Sequence, residues 1–404
     1  MTHALYHDDA LLLDFPATVA QVRGHDVALD ATAFYPEGGG QNGDQGRWRW
    51  TGPQGHPAQA RVVATRKDKA TGTVWHTLDG EVPDVGQAVS GEVDRARRWH
   101  NMQRHSAEHL LAQAFVRVDP AFQVVSVSMA GPECHLDLRG DPGPEQVQAA
   151  ESLLRVALGR DELTLETPVV PETDLGLYPL RRETKVKDRV RLVMFRQAGG
   201  EWFDVSACGG THVPRAAMCA PVVVLRTERI KGGLTRVTFM AGEEAGAYLS
   251  SVYQEARRLS QRLSVPVERV AERVQAVLTE HDTVRAELEH LHAELARQAV
   301  AAQPPEPVGA VMLRVVPLSD AAQLMPALTG LPVGEVRAVV CPQGRCGVAS
   351  GVTAVSAQAV LRAALTETGG KGGGKPELAQ GQTAQPEAFA GAVRAALAAQ
   401  QTGA

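Results

Sequence analysis

The sequence has few cysteines, no surplus of basic charge and no long apolar run, and each lack removes a class of protein. Its five cysteines, Cys134, Cys208, Cys219, Cys341 and Cys346, are odd in number and widely spaced. That is not the paired framework of a disulfide-stapled secreted domain. The formal net charge of −5 over 404 residues gives no global attraction for nucleic acid, although a local basic face is compatible with such a sum. No stretch approaches the ~20 apolar residues that span a bilayer. The N-terminal Met1-Thr2-His3-Ala4-Leu5-Tyr6-His7-Asp8-Asp9 lacks the basic region of a secretory leader. The expectation is a cytoplasmic protein with reduced thiols and no membrane partner. The length calls for roughly two to four domains.

What is present changes along the chain. Between residues 10 and 95, Leu11–Val22, Asp26–Tyr35, Gln59–Arg66, Gly72–Leu78 and Ala88–Val93 form short β-prone runs broken by Gly, Pro, Asn and Asp. This spacing, with no helical pattern between, predicts a small barrel or sandwich. Within it, Phe34–Gly46 places five glycines in nine residues, Gly38 to Gly46. Such a backbone either takes positive φ repeatedly or lets another group approach closely, and a hairpin loop is the plainer alternative. Thr32 and Gln41 are the polar groups nearby that could face a ligand. After residue 96 the pattern is helical. Strand-like runs then recur at Gln123–Met129, Cys134–Leu138, Leu163–Val170, Val190–Phe195, Val222–Arg229 and Leu234–Met240, with a helix over Pro144–Arg160 that Asp141 could cap. That mixture suggests an α+β or two-layer α/β unit.

From Ser264 onward, Val267, Val270, Val274, Val277, His281, Val284, Leu288, Leu291 and Leu295 advance in steps of three and four, the a/d seam of a coiled coil. Gln303–Pro307 reads as a linker, and the remainder as a small α/β domain with strands at Ala310–Val316 and Val336–Cys341. The expected α+β layout is a β-barrel over 1–95, a two-layer α/β domain over 96–248, a coiled-coil helical region over 249–303 and a small C-terminal domain over 304–404.

Two short stretches concentrate the chemistry. His105 and His109 stand four apart on a predicted helix, so both imidazoles share one face. Cys208-Gly209-Gly210-Thr211-His212 offers a thiolate and an imidazole around a tight turn. Three imidazoles and one thiolate make a sound zinc set, one ion per chain. His105-Ser106-Ala107-Glu108-His109 also fits H-x-x-E-H, in which Glu108 would be the base of a zinc peptidase. That reading leaves Cys208 and His212 without a role. A third stretch, Gly369 to Lys375, nearly fits the phosphate loop of nucleotide hydrolases, but Pro376 stands where Ser or Thr must hold magnesium. Lys371, Lys375 and the glycine backbone could still grip nucleic-acid phosphates; a flexible loop is the alternative.

Together, Phe34–Gly46, the His105/His109 pair and Cys208–His212 resemble the editing half of alanyl-tRNA synthetase and its freestanding relatives, the AlaX editing proteins. Gly369–Gly381 resembles the C-terminal C-Ala, or DHHA1-type, domain of the same synthetases. The order of parts is that of the long AlaX form, and the class II aminoacylation core has no counterpart here. Ser106 stands where the family commonly has Thr, Asn42 where Pro or Val is usual, and Thr235 beside Arg236 in place of one of two frequent arginines.

The resemblance implies a hydrolase that removes serine, and glycine, from mischarged tRNA(Ala) while sparing Ala-tRNA(Ala). A synthetic site shaped for alanine rejects those two amino acids weakly, so a second sieve is needed. It further implies zinc held by His105, His109, Cys208 and His212, and a substrate pocket walled by Gly38, Gly39 and Gly40. Thr32 would read the serine hydroxyl, and Gln41 would orient water or substrate. Lys371, Gly372, Gly373, Lys375 and Arg236 would contact tRNA. The coiled coil can pair within a chain or between chains; the resemblance implies a homodimer through it and the C-terminal domain. The alternatives are a zinc-stabilised tRNA-binding protein without catalysis and, further off, the peptidase.

Overall fold

The computed structural model describes residues 2–52 and 55–402, so the extreme ends of the first and last expected domains lie outside the described residues. The chain divides into two units, Met1–Arg257 and Arg258–Ala404, and is α+β throughout. Among the described residues no helix is long and apolar enough to cross a membrane.

The first unit begins with a closed six-stranded barrel, in the order Asp14–Arg23, Asp26–Leu29, Val74–Gly80, Pro57–Lys67, Gly46–Thr51 and Ala88–Val93. All six neighbouring pairs are antiparallel, and closure leaves no open edge. The strand Gly46–Thr51 is absent from the sequence reading. Its alternation is nonetheless plain, with Trp48 and Trp50 buried in the barrel and Arg47 and Arg49 turned outward. It starts inside the glycine-rich stretch, where loop signals mask a strand onset.

Helix Arg95–Val118 follows, capped by the Asp94 side chain, which accepts from Arg97 N. Every residue from Asn101 to Ala112 is buried, so this is a central helix rather than an amphipathic surface one. One four-stranded antiparallel sheet runs Val222–Ile230, Leu234–Ala241, Cys134–Arg139, Val124–Ser128; a second group centres on strand Arg189–Arg196 with Thr164–Glu166, Val169–Pro171 and Trp202–Ala207. The core joining helix and sheets includes Met102, Leu110, Phe115, Leu136, Phe195 and Phe239. Strand Trp202–Ala207 is a second omission from the sequence reading. The cap of helix Pro144–Arg160 is Gly143, whose N–H donates to Gln146, not Asp141.

The second unit carries a six-stranded sheet ordered Glu306–Val308, Val311–Pro317, Glu335–Val340, Arg345–Ser350, Leu378–Thr383, Gly370–Gly374. The expected linker thus holds an edge strand, where Pro307 costs no ladder bond on its open side. The glycine–lysine stretch is the opposite edge strand rather than a loop. Helix Val270–Ala302 is preceded by a single 3₁₀ turn at Val267–Arg269. Its Ala296 is buried with Leu318 and Leu324, while Val274, Val277, Val284, Leu288, Leu291 and Leu295 are exposed.

Candidate metal centre

The centre is assembled by one helix and one loop. Helix Arg95–Val118 supplies His105 and His109, and the loop after strand Trp202–Ala207 supplies Cys208 and His212. One donor atom from each of the four lies within 4.8 Å of the other three. Cys208 Sγ is 3.4 Å from His105 Nε2 and 3.6 Å from His212 Nε2. The approach is so close that a Cβ on Gly210 would stand 2.1 Å from His105 Cε1, which only glycine avoids.

Each imidazole has its other nitrogen engaged. His105 Nδ1 donates to Gln41 Oε1 at 2.7 Å and His109 Nδ1 to Asp204 Oδ2 at 3.0 Å, and His212 Nδ1 shares a hydrogen bond with Ser106 Oγ at 3.2 Å. The amide oxygen and the carboxylate fix the tautomers of His105 and His109 with Nε2 free to bind a cation, and all three contacts orient the rings. Burial alone would raise the Cys208 thiol, but the facing His105, His109 and His212 hold it well below the ordinary thiol range. Burial would likewise raise Asp204, yet Arg181 and His109 hold its carboxyl below the usual value. One thiolate and three imidazoles, the imidazoles buried and the thiolate half-buried, form a donor set able to hold a metal ion in place of the proton that His109 carries without it.

A cavity of about 310 Å³ lies over the cluster; its wall includes His7, Tyr35, Gly38, Gly39, Glu108 and Arg181. The structure therefore brings Gly38 and Gly39 to the wall. Gly40 instead packs on Val127, with Cβ room of only 3.0 Å. Gln41 is a support behind the centre: its Nε2 donates to Thr211 Oγ1 at 2.8 Å and its Oε1 also accepts from Thr211 N. Thr32 is not on the wall. Its hydroxyl is enclosed in the first unit, 2.9 Å from His76 Nε2, and accepts from Phe34 N. Arg236 is bound to Asp137 at 2.7 Å, and Lys371, Gly372, Gly373 and Lys375 belong to the second unit.

The sequence reading missed four contributors. Asp204 sets a tautomer and Ser106 orients a ring. His7 reaches the cavity wall and meets Gly209 O at 2.9 Å. Glu108, considered in the sequence only as the base of a peptidase, faces the cavity with its carboxylate 3.8 Å from His109 Nε2. The H-x-x-E-H spacing carried that last signal.

Three known families match the chain: "tRNA synthetases class II (A)" over residues 10–97, "Threonyl and Alanyl tRNA synthetase second additional domain" over 190–238, and the DHHA1 domain over 334–402. The alanine–tRNA ligase of Thermococcus kodakarensis is 33% identical over 311 residues, covering 74% of this chain and 32% of its own length. That of Pyrobaculum calidifontis is 31% identical over 408 residues, covering 98% of this chain and 44% of its own. The chain thus spans under half the length of these relatives. A solved C-Ala domain from Aquifex aeolicus alanyl-tRNA synthetase overlaps 24% of this chain and 98% of its own, at 23% identity and a TM-score of 0.20, which adds nothing on the fold. Barrel, buried His/Cys cluster and the order of the matches fit a protein related to the editing part of tRNA synthetases. Within that group, the matches fit an AlaX-like relative of alanyl-tRNA synthetase.

Proposed function

We propose that the chain is a trans-editing hydrolase that cleaves the ester of serine, and of glycine, wrongly joined to the 3′ end of tRNA(Ala), in the cytoplasm. The observation that carries this reading is the convergence of Cys208 Sγ and three hydrogen-bonded imidazoles under a glycine-walled cavity. The donor spacing suits zinc. A tetrahedral ion with usual Zn–N and Zn–S lengths has N···S edges of about 3.6 Å, against 3.4 and 3.6 Å here. Four protein donors give a closed shell, so the bound ion supplies a fixed positive charge beside the ester.

The remaining work falls to the chain. Glu108, on the cavity wall, is placed to take the proton of the attacking water and return it to the leaving ribose oxygen. Gln41 serves as a positioning residue for His105. Thr32, its hydroxyl already used, acts on selectivity by fixing Phe34 and, through it, Tyr35 on the wall. The exposed edge Gly370–Gly374, with Lys371 and Lys375, adds general affinity for tRNA. The exposed seam of helix Val270–Ala302 suits a second copy of the chain.

The test is serine release from Ser-tRNA(Ala) and alanine release from Ala-tRNA(Ala) by purified protein, with and without a chelator. Fast chelator-sensitive loss of serine with alanine retained is the expected result. Serine retained under both conditions leaves a tRNA-binding protein whose metal is structural.

A further inference from the structure

Arg181–Arg191 holds six basic residues, Arg181, Arg182, Lys185, Lys187, Arg189 and Arg191, against two acidic ones, in a chain whose overall charge is −5. From 182 to 187 it is neither helix nor strand, and no backbone–backbone hydrogen bond holds it among the described residues. Both ends are pinned. Arg181 N donates to Val205 O, and its Nη1 donates to the His109 carbonyl at 2.7 Å. At the far end Glu172 N donates to Asp188 O, and strand Arg189–Arg196 pairs with Val169–Pro171. The segment is a strap stretched between two fixed points; Val186 N donates to Thr184 Oγ1 and Asp188 N to Glu172, and among the described residues the N–H groups of Arg182, Glu183, Lys185 and Lys187 are left to donate.

Its outward charges are uncommitted. Lys187 is paired with Glu172 at 2.6 Å, but Arg182, Lys185 and Arg189 are exposed and form no ion pair among the described residues. Three unpaired cations along one short strap repel one another, so an anionic occupant relieves them. The strap also leads to the centre. A groove of about 430 Å³ runs along residues 182–186 and Ala207. Its residues Arg182 and Ala207 are also wall residues of the cavity over the metal cluster, and Ala207 directly precedes Cys208.

We infer that this strap is the docking track for the single-stranded 3′ end of an RNA. The phosphates follow Arg182, Lys185 and Arg189, and the terminal nucleotide turns into the cavity. This deepens the proposed function and rests on it for the identity of the substrate. An acidic peptide would meet the same cations, but free N–H donors and forked guanidinium groups match phosphate oxygens better. A cavity of about 310 Å³ is of small-ligand size, so a single-stranded end enters and a duplex does not.

The test titrates the zinc-loaded full chain with a fluorescent, uncharged RNA hairpin ending in a short 3′ tail, and with a blunt hairpin, across a range of salt. For Lys185→Ala/Arg189→Ala, affinity for the tailed RNA is expected to fall about 25-fold near 0.1 M salt, and the log–log salt slope to flatten by about 1.4, from ~0.7 per single-strand contact. The blunt hairpin is expected to lose less. Lys185→Arg/Arg189→Lys keeps both charges and is expected to bind the tailed RNA as the unaltered protein does. Zinc content per chain, equal in all three proteins, shows that the centre is intact.

Unchanged affinity and slope in the alanine variant overturn the inference. So does a loss shared by the charge-preserving variant, because shape rather than charge would then be responsible. So does an equal loss on blunt and tailed RNA. If poly-glutamate displaces the tailed RNA from the unaltered protein at matched charge concentration, the strap is reassigned to an acidic protein partner. The RNA carries no amino acid, so the two readings fail separately. Strap-dependent binding without serine release refutes the proposed reaction alone; serine release with strap-independent binding refutes the strap alone.

Discussion

The first unit's glycine-rich stretch, Gly38–Gly46, is gripped on several sides, whereas the second unit's, Gly369–Gly374, is an open sheet edge. In the first, Asp44 is fully buried against Arg98, and Tyr35 N donates to it at 2.7 Å. Gln41 ties the stretch to His105 and Thr211, and a Cβ on Gly43 would meet Thr65 O at 2.5 Å. In the second, all five strand residues are exposed and pair on one side only. A Cβ on Gly373 would meet nothing within 4 Å. The same residue type thus serves close packing behind the His/Cys cluster in one place and an accessible backbone in the other. Changes in the first should reach chemistry and stability; changes in the second should reach affinity alone.

The largest expected effect is His109→Ala. It removes one of four donors and strips Asp204 of its imidazole partner, so zinc content and serine release should both collapse. Retained release at full rate would sink the metal's role. Next comes Glu108→Gln, which keeps the shape of the cavity wall but cannot accept a proton. A rate loss of about 10²- to 10⁴-fold with zinc content unchanged is expected; an unaltered rate returns Glu108 to a structural part. Gln41→Ala follows. Without it His105 Nδ1 and the Thr211 hydroxyl lose their partner. Loss of such an orienting residue weakens metal affinity by about 10- to 100-fold, read by competition with a chelating dye. If affinity holds and only turnover falls, Gln41 touches water or substrate after all.

How far the sequence carried these assignments differs between the same two regions. The four donors were legible because His105/His109 and Cys208/His212 each keep a spacing that geometry can use. Most of the barrel was legible from β-prone runs between turn residues. Strand Gly46–Thr51 was not, because its first residue belongs equally to the glycine stretch and its pairing with Ala88–Val93 is non-local. Asp204 and Ser106 were hidden for another reason. A lone Asp on a strand or a Ser in a helix announces no imidazole partner; only the folded distance to His109 or His212 does. Thr32 is the converse case. Its place before the glycine stretch suggested a ligand-facing hydroxyl, whereas His76 and Phe34 N occupy it. In the second unit, glycines and lysines suggested a loop, since glycine weakens strands. The edge forms because Gly370, Gly372 and Gly374 let Leu378–Thr383 and Leu365 approach more closely than any side chain would permit.

The smallest expected effect draws the comparison most sharply, as a matched pair of substitutions. Gly43→Ala forces its new methyl against the Thr65 carbonyl, and should destabilise the first unit by roughly 1–3 kcal/mol as an overpacked contact. Gly373→Ala places the same methyl in open space at an ordinary φ, and should leave stability within about 0.5 kcal/mol, as surface changes do. Thermal unfolding of the two variants measures both. On uncharged tRNA the order should reverse. Gly43→Ala, if folded at the assay temperature, should bind as before, while Gly373→Ala, whose methyl holds a phosphate off the backbone N–H, should lose about 0.5–1.5 kcal/mol of affinity, the worth of one hydrogen bond. A Gly373→Ala protein that binds tRNA unchanged would mean that Lys371 and Lys375 act as point charges and that the bare backbone between them touches nothing. The glycines there would then serve only the packing of the edge against Leu378–Thr383, and the two stretches would differ in exposure but not in purpose.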